Sequence, residues 1–338
     1  MKGERLKTLT PFTPHLTPRF SLELLMFHYI IRRVLQSIPI LFVVLTLVFV
    51  VVRILPGDPA VAALGDYASK EAIHALREKM GLNVSYWVQY LRFLRALCGG
   101  DLGRSMMTGY PVTAQLMKVL PYSLELTFTA ILFGFLFGIP LGIPAAVRRN
   151  SFIDYFNRIF SLIGLSIPAF FLGIVLMLVF SIQWKLFPVV GGGNLSSLSD
   201  NLRHLFLPAL SLGLIMTAYV TRMTRSSLLN ILGEDYVRTA RSKGIPEQGV
   251  LLKHALRNAL IPVVALGSVY AIVLIGSSVM MEIVFSRPGL GSLMVGAIKQ
   301  RDYTTLQSVM VFYSVIVVVF NLMTDLIYRM IDPRIQYR

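Results

Sequence analysis

Charged side chains are scarce in this sequence. They make up 14% of its 338 residues, about half the share of a soluble domain. With 55% hydrophobic residues and a mean hydropathy of +0.68, that scarcity excludes an ordinary cytosolic fold. Cysteine is nearly absent as well. The single Cys98 excludes an intramolecular disulfide framework and a cysteine-based zinc site. His15, His28, His74, His204 and His254 form no HExxH and no cluster, so no metal site is expected. The dipeptide Gly-Lys, which a Walker A loop needs before Ser or Thr, occurs nowhere. ATP hydrolysis by this chain is therefore not expected. No catalytic residues are assigned, and Gly191-Gly192-Gly193, which no Lys follows, reads as a flexible turn.

What charge there is leans one way: 32 Lys and Arg against 17 Asp and Glu, a formal +15. It is also unevenly placed. No charge falls between Arg33 and Arg53, nor in 126–147, 159–184, 204–221, 258–281 or 303–324. Crossing a hydrocarbon core of ~30 Å takes about 20 helical residues. Inside lipid a helix satisfies its own backbone, so each run reads as a transmembrane helix. The fold class is an all-α membrane protein with six spans. With the N-terminus inside, the inner segments (1–33, 148–158, 222–257, 325–338) carry 19 Lys and Arg, and the outer ones (53–118, 185–203, 282–302) carry 13. The positive-inside rule then puts both termini in the cytoplasm. Basic residues on both faces of the membrane exclude nucleic acid as the reason for the charge.

Residues 1–25, with Pro11, Pro14 and Pro18 and no apolar run, read as a disordered extension. Met26 would itself make a natural start. Residues 26–55 are the first span. Residues 56–118 form an extracytoplasmic loop with two amphipathic helices, over 69–80 (ended by Gly81) and 84–97. Gly134, Gly138 and Gly142 recur every four residues on the second span, which puts them on one face. That face serves either close helix packing or a path that opens and closes. Glu125 is the one carboxylate noted beside a span. With Pro121 read as a first helical residue, Glu125 falls near the first turn, where it suits the helix dipole. A substrate contact or a proton-coupling role stays open.

The loop 222–257 is the densest short basic block. Glu234 and Asp235 open a short helix. Arg238, Arg241 and Lys243 close it, and Gly244 supplies a left-handed cap. Tyr236, Val237 and Ala240 make its apolar stripe, and Pro246 with Glu247 starts a second helix. A helix of about ten residues is marginal alone and needs a partner.

This loop resembles the "EAA" coupling loop of binding-protein-dependent ABC importer permeases. Ala240, Gly244 and Leu256 match the general pattern. YVRTARSKG from Tyr236 and HALRNALIPV from His254 are close to the peptide and nickel branch. RILPGDPA (53–60), DLGRSMMTGYPV (101–112), FSRPGLG (285–291), AIKQRDY (297–303) and NLMTDLIYRMIDPRIQY (321–337) resemble its B-type subunit. Arg287 departs from it, where the family often has Trp. The resemblance covers about 27–338, with 119–330 as the type-1 transmembrane core and 331–338 as a cytoplasmic tail.

The resemblance implies a type I importer in a bacterial or archaeal cell (inner) membrane. This chain would pair with a homologous second permease, rest on two ATPases that bind ATP and Mg, and receive substrate from an extracytoplasmic binding protein. It would hold no cofactor itself. Peptides are the implied substrates, with nickel chelates or glutathione as the alternative, and an ion-coupled secondary transporter as the reading of another class. Glu234, Asp235, Tyr236, Arg238, Thr239, Ala240, Arg241, Lys243 and Gly244 would couple to the ATPase. Glu125, Gly138, Pro168 and Gly276 are the candidates for the path or its gate.

Overall fold

The computed structural model describes residues 19–54, 59–65, 68–79 and 81–331. It divides into two units, 1–40 and 41–338. The described part of the first unit is the beginning of helix α1 (Arg19–Ile54), which contains Pro39. Residues 1–18 of the expected disordered extension lie outside the described residues, as does the tail 332–338. Residues 19–25, read as part of that extension, are helical.

The described residues of the second unit are almost entirely helical, with one isolated bridge between Arg104 and Pro111. After α1 come α2 (Pro59–Leu64), α3 (Lys70–Lys79) and α4 (Tyr86–Cys98), the last two being the amphipathic helices expected between the first two spans. Gly81 follows α3 with a φ of +66°, a value that suits glycine because it has no Cβ to clash. Then come α5 (Val112–Val147), α6 (Phe152–Ser166) and α7 (Ala169–Leu176), which continues as a π-helix over Met177–Gln183. Helix α8 spans Leu198–Leu232 and α9 spans Asp235–Ser242. Helix α10 (Glu247–Gly249) runs through a π-helical stretch, Val250–Leu256, into α11 (Arg257–Val284). Helices α12 (Leu290–Lys299) and α13 (Tyr303–Ile331) complete the described residues.

Among the described residues five helices are long and apolar enough to cross a membrane, and the pair 152–166 and 169–183 makes a sixth span if counted as one. That pair departs from the single transmembrane helix expected over 159–184. It bends by 103° around Ile167 and Pro168, both extended, with ψ of 126° and 139°. The cause is local: a proline ring drives the residue before it out of the α region. Helix α5 also differs from the sequence expectation. It begins at Val112, so Pro121 lies inside it and Glu125 is several turns from its start. The helix-dipole account of Glu125 fails for that reason.

Helix α8 is the axis of the core. Leu205, Leu207, Leu212, Met216 and Val220 from α8 meet Leu126 and Ala130 from α5 and Val263, Leu274 and Met281 from α11. The three glycines of α5 face α8 and run parallel to it. A Cβ on Gly138 would meet Val220 Cβ at 2.6 Å and Thr217 O at 3.0 Å, and one on Gly142 would meet Thr224 Cβ at 2.6 Å and Thr221 O at 2.8 Å. Gly134 stands against Met216 one turn earlier in both helices. Absence of side chains lets the two backbones approach closely over three turns, the small-residue contact used where the lipid supplies no hydrophobic drive.

Candidate functional site

Two polar sites lie at opposite ends of the α5–α8 pair. The first is the exposed loop that follows α8. Glu234 is the residue before α9, with extended backbone (φ −70°, ψ 147°). Val237 and Ala240 turn inward onto Val250, Ile231, Leu232 and Ile245. That small cluster holds an eight-residue helix that would not persist alone. Glu234, Asp235, Tyr236, Arg238, Thr239, Arg241, Lys243 and Gly244 are exposed, while Ala240 is buried. Gly244 has φ +75° and its N–H donates to Arg241 O at 2.9 Å. Arg241 reaches both oxygens of Glu247, at 2.7 and 3.1 Å, which clips α9 to α10. That carboxylate raises the Arg241 guanidinium above its ordinary value.

The two motif halves of this loop meet in space. Asn258 Nδ2 donates to Tyr236 Oη at 2.9 Å. Tyr236, Lys253, His254, Arg257, Asn258 and Ile261 line a hollow of about 530 Å³ beside α9. Lys253 and Arg257 make its lining basic. Such a surface suits an acidic face on a docking partner.

The second site, at the other end, was only half legible in the sequence. Arg287 is 1% exposed and is the largest fully buried side chain among the described residues. It pairs with Glu125 and donates to Gly192 O at 3.1 Å. Asn201 Nδ2 donates to the other Glu125 oxygen at 2.8 Å. Burial lowers the Arg287 pKa from its ordinary value, and Glu125 opposes that shift. Next to this pair, Glu282 is fully buried. It accepts from Ser123 Oγ at 2.6 Å and from Ser292 N–H at 3.0 Å, while Leu290 N–H donates to Ser123 Oγ at 2.8 Å. A Cβ on Gly289 would overlap the Glu282 carboxylate. The FSRPGLG stretch is therefore a plug joining α5, α8, the 192–193 turn and the start of α12.

A third network ties two other motifs. Asp302, just before α13, accepts from Ser105 Oγ at 2.5 Å, Met106 N–H at 3.2 Å and Thr305 Oγ1 at 2.8 Å. Ser308 Oγ donates to Leu102 O at 2.6 Å. DLGRSMMTGYPV and AIKQRDY thus hold each other across the chain.

The four path or gate candidates do not form one cluster. Glu125 pairs with Arg287, and Gly138 is buried against α8. Pro168 sits at the exposed α6–α7 break, and Gly276 faces open space on α11. Counting Glu125 as the one carboxylate beside a span is also corrected: Glu282 and Asp154 are both fully buried in spanning helices. Hydropathy hides them because they stand just outside charge-free runs that the helices overrun.

The model of the family described as "Binding-protein-dependent transport system inner membrane component" matches residues 138–337. The chain belongs to this family. A second family model, "Binding-prot-dependent transport system membrane comp, N-term", matches 26–127. The permease is 39% identical over 313 residues to "Glutathione transport system permease protein GsiC" of Salmonella paratyphi A, covering 93% of this chain and 100% of that one. It is 37% identical over 333 residues to "Dipeptide transport system permease protein DppB" of Alkalihalophilus pseudofirmus, covering 92% and 100%. Among solved structures it shares its fold with the MetNI methionine ABC transporter in inward-facing conformation, with a TM-score of 0.51, 22% identity and coverage of 65% of this chain and 97% of that one. An amino acid ABC transporter crystallised with histidines gives a TM-score of 0.51 at 17% identity, covering 64% and 94%. The chain is a multi-pass inner-membrane permease subunit of a binding-protein-dependent transport system, and not an enzyme.

Proposed function

We propose that this permease forms half of the path of an ATP-driven peptide importer, glutathione being one of the peptides it would pass. The observation that carries the reading is likeness over the whole length of relatives named for glutathione and for dipeptides. A homologous second permease would complete the path, an extracytoplasmic binding protein would deliver substrate, and two ATPases holding ATP and Mg would dock beneath. Both termini would lie in the cytoplasm, which puts α9 on the ATPase side.

Helix α9 is the coupling element in this reading. Glu234, Asp235, Tyr236, Arg238, Thr239, Arg241 and Lys243 would face a groove on one ATPase. Ala240 would anchor the helix from behind, and Gly244 would turn the chain out of it. Because Val237 and Ala240 are packed into the base of α8, a push on α9 is delivered to α8 and, through the glycine contact, to α5. A pair of packed arrangements on either side of that push gives alternating access.

The test is reconstitution of the permease with its second permease, ATPases and binding protein in proteoliposomes. Uptake of labelled glutathione and dipeptides should require ATP and the binding protein. Accumulation driven by a proton gradient without ATP would refute the importer reading. Uptake of a nickel chelate with no peptide uptake would refute the substrate class.

A further inference from the structure

Next to the α9 end of the bundle, α6 and α8 enclose a hollow of about 480 Å³ that the coupling reading does not use. Arg149, Arg158, Arg222 and Arg225 line it. Asp154 is the acid beside them. It takes Arg225 in two bonds of 2.5 and 3.0 Å and Arg158 in two of 3.2 and 2.7 Å. The side chains of Arg149 and Arg222 make no hydrogen bond or ion pair among the described residues, and Arg222 lies within electrostatic reach of the Tyr270 phenol. The hollow therefore keeps an excess of positive charge at the end of spanning helices.

A second observation is independent of the charge. Asn157 and Thr221, which are 3% and 1% exposed, line the same hollow. Asn157 Oδ1 and Thr221 Oγ1 have no hydrogen-bond partner. Buried polar atoms are nearly always paired, and those that are not call for a physical reason. Here one hydroxyl can donate to an anion and one amide oxygen can accept from a hydroxyl. Leu162, Leu165 and Leu229 form the apolar remainder of the lining. Phe156 and Ile159, exposed on α6, extend an apolar surface beyond it.

We propose that this hollow binds the phosphate of an anionic phospholipid. Arg149 and Arg222 hold the phosphate oxygens, helped by the Thr221 hydroxyl. Asn157 Oδ1 accepts from a headgroup hydroxyl, and the acyl chains lie along the leucines and the exposed face of α6. Guanidinium groups match phosphate oxygens in geometry and charge, and basic pockets between membrane helices are known receptors for anionic headgroups. A free phosphate would satisfy the arginines but leave the apolar lining uncovered.

The test is native mass spectrometry of the full chain in neutral detergent, titrated with dioctanoyl phosphatidylglycerol, dioctanoyl phosphatidylcholine or inorganic phosphate. Phosphatidylglycerol should bind at least about tenfold more tightly than phosphatidylcholine. Each arginine is worth about fivefold, so Arg149→Gln with Arg222→Gln should weaken phosphatidylglycerol about 25-fold. A control that removes two distant exposed charges, Arg92→Gln with Lys299→Gln, should change nothing. Thr221→Val, which keeps the packing volume, should weaken binding several-fold, and it stands as the test if the double variant does not fold. Equal binding of phosphatidylglycerol by the wild type and by these variants would overturn the site. Phosphatidylcholine binding as tightly would overturn its charge selectivity, and inorganic phosphate binding as tightly would overturn the lipid.

Discussion

Replacing Glu125 with leucine should destabilise the permease more than removing its partner does. Arg287 has no exposed side-chain surface, whereas Glu125 retains 23%. Losing one member of a buried pair leaves an uncompensated charge, which costs about 3–5 kcal/mol. Arg287 would keep its bonds to Gly192 O and Asn201 Oδ1 and the nearby charge of Glu282. The low end, about 3 kcal/mol, is therefore expected for Glu125→Leu. Arg287→Met leaves Glu125 partly hydrated and still bonded to Asn201, so about 1–2 kcal/mol is expected. The double variant removes both members of the pair, fills similar volume and leaves Glu282 on its bonds to Ser123 and Ser292, and such replacements come out near neutral. A strong non-additivity, about 4–5 kcal/mol, is the signature. The assay is the fraction of monodisperse protein left after heating in detergent, measured for all four proteins. Additive losses, or a milder effect of Glu125→Leu than of Arg287→Met, would refute the reasoning. The same set sorts the roles of Glu125. If it only braces the fold, transport should return in the stable double variant; if it touches substrate, transport should stay lost.

Gly244→Val should leave folding and membrane insertion intact but uncouple ATP hydrolysis from transport. Nothing stands within 4 Å of a Cβ there, so the penalty is the φ of +75°, about 1–2 kcal/mol for a left-handed L-residue. Normal uptake would contradict it. Gly142→Val should abolish stable α5–α8 packing, because its Cβ alone meets Thr221 O at 2.8 Å; unchanged thermal stability would count against the contact. Gly289→Ala should lower stability by displacing the Glu282 carboxylate, and a crystal or cryo-EM map showing Glu282 still bonded to Ser123 would speak against that. Arg241→Ala should cost at most about 1 kcal/mol, since the pair with Glu247 is exposed. A loss of transport far beyond that would locate Arg241 at a docking contact.

The spans were legible because lipid imposes a strong rule: a water-facing helix of that length would carry charge along one side. The ends of the helices were not, since the described helices continue past the apolar runs into charged sequence, as α5 does back to Val112 and α11 does out to Glu282. The bend at Pro168 left a sign in the sequence, but hydropathy alone does not tell a bent span from a straight one. Helix α9 was readable to within a residue because its caps are local. The Arg287 network was not, because its members stand far apart in sequence, at 125, 201 and 287. In the sequence Arg287 stands out only as a departure from a tryptophan pattern. The one clue is that an unmatched basic residue in an apolar turn requires a buried acid, and Glu125 is the unassigned acid available.

These contacts assign the stiff and the compliant parts of the permease. Helix α9 is fixed to the base of α8 through Val237, Ala240 and Val250. Helix α8 is locked to α5 along Gly134, Gly138 and Gly142, where neither helix can slide without meeting backbone or a β-carbon. At the far end Asn201 of α8 and Glu125 of α5 share a bond and are plugged by Arg287. Packed contacts thus run from α9 to the opposite end of the α5–α8 pair, past Pro121, Pro140 and Pro144 inside α5 and Pro208 inside α8. The breaks in regular backbone lie elsewhere: the bend at Ile167 and Pro168, the π-helical stretch after α7, and the one between α10 and α11. Short π-helical stretches inside α-helices are frequent at functional sites. In the proposed importer, the packed α5–α8 pair, bounded by α6–α7 and the start of α11, would carry a push at one membrane face toward an opening at the other.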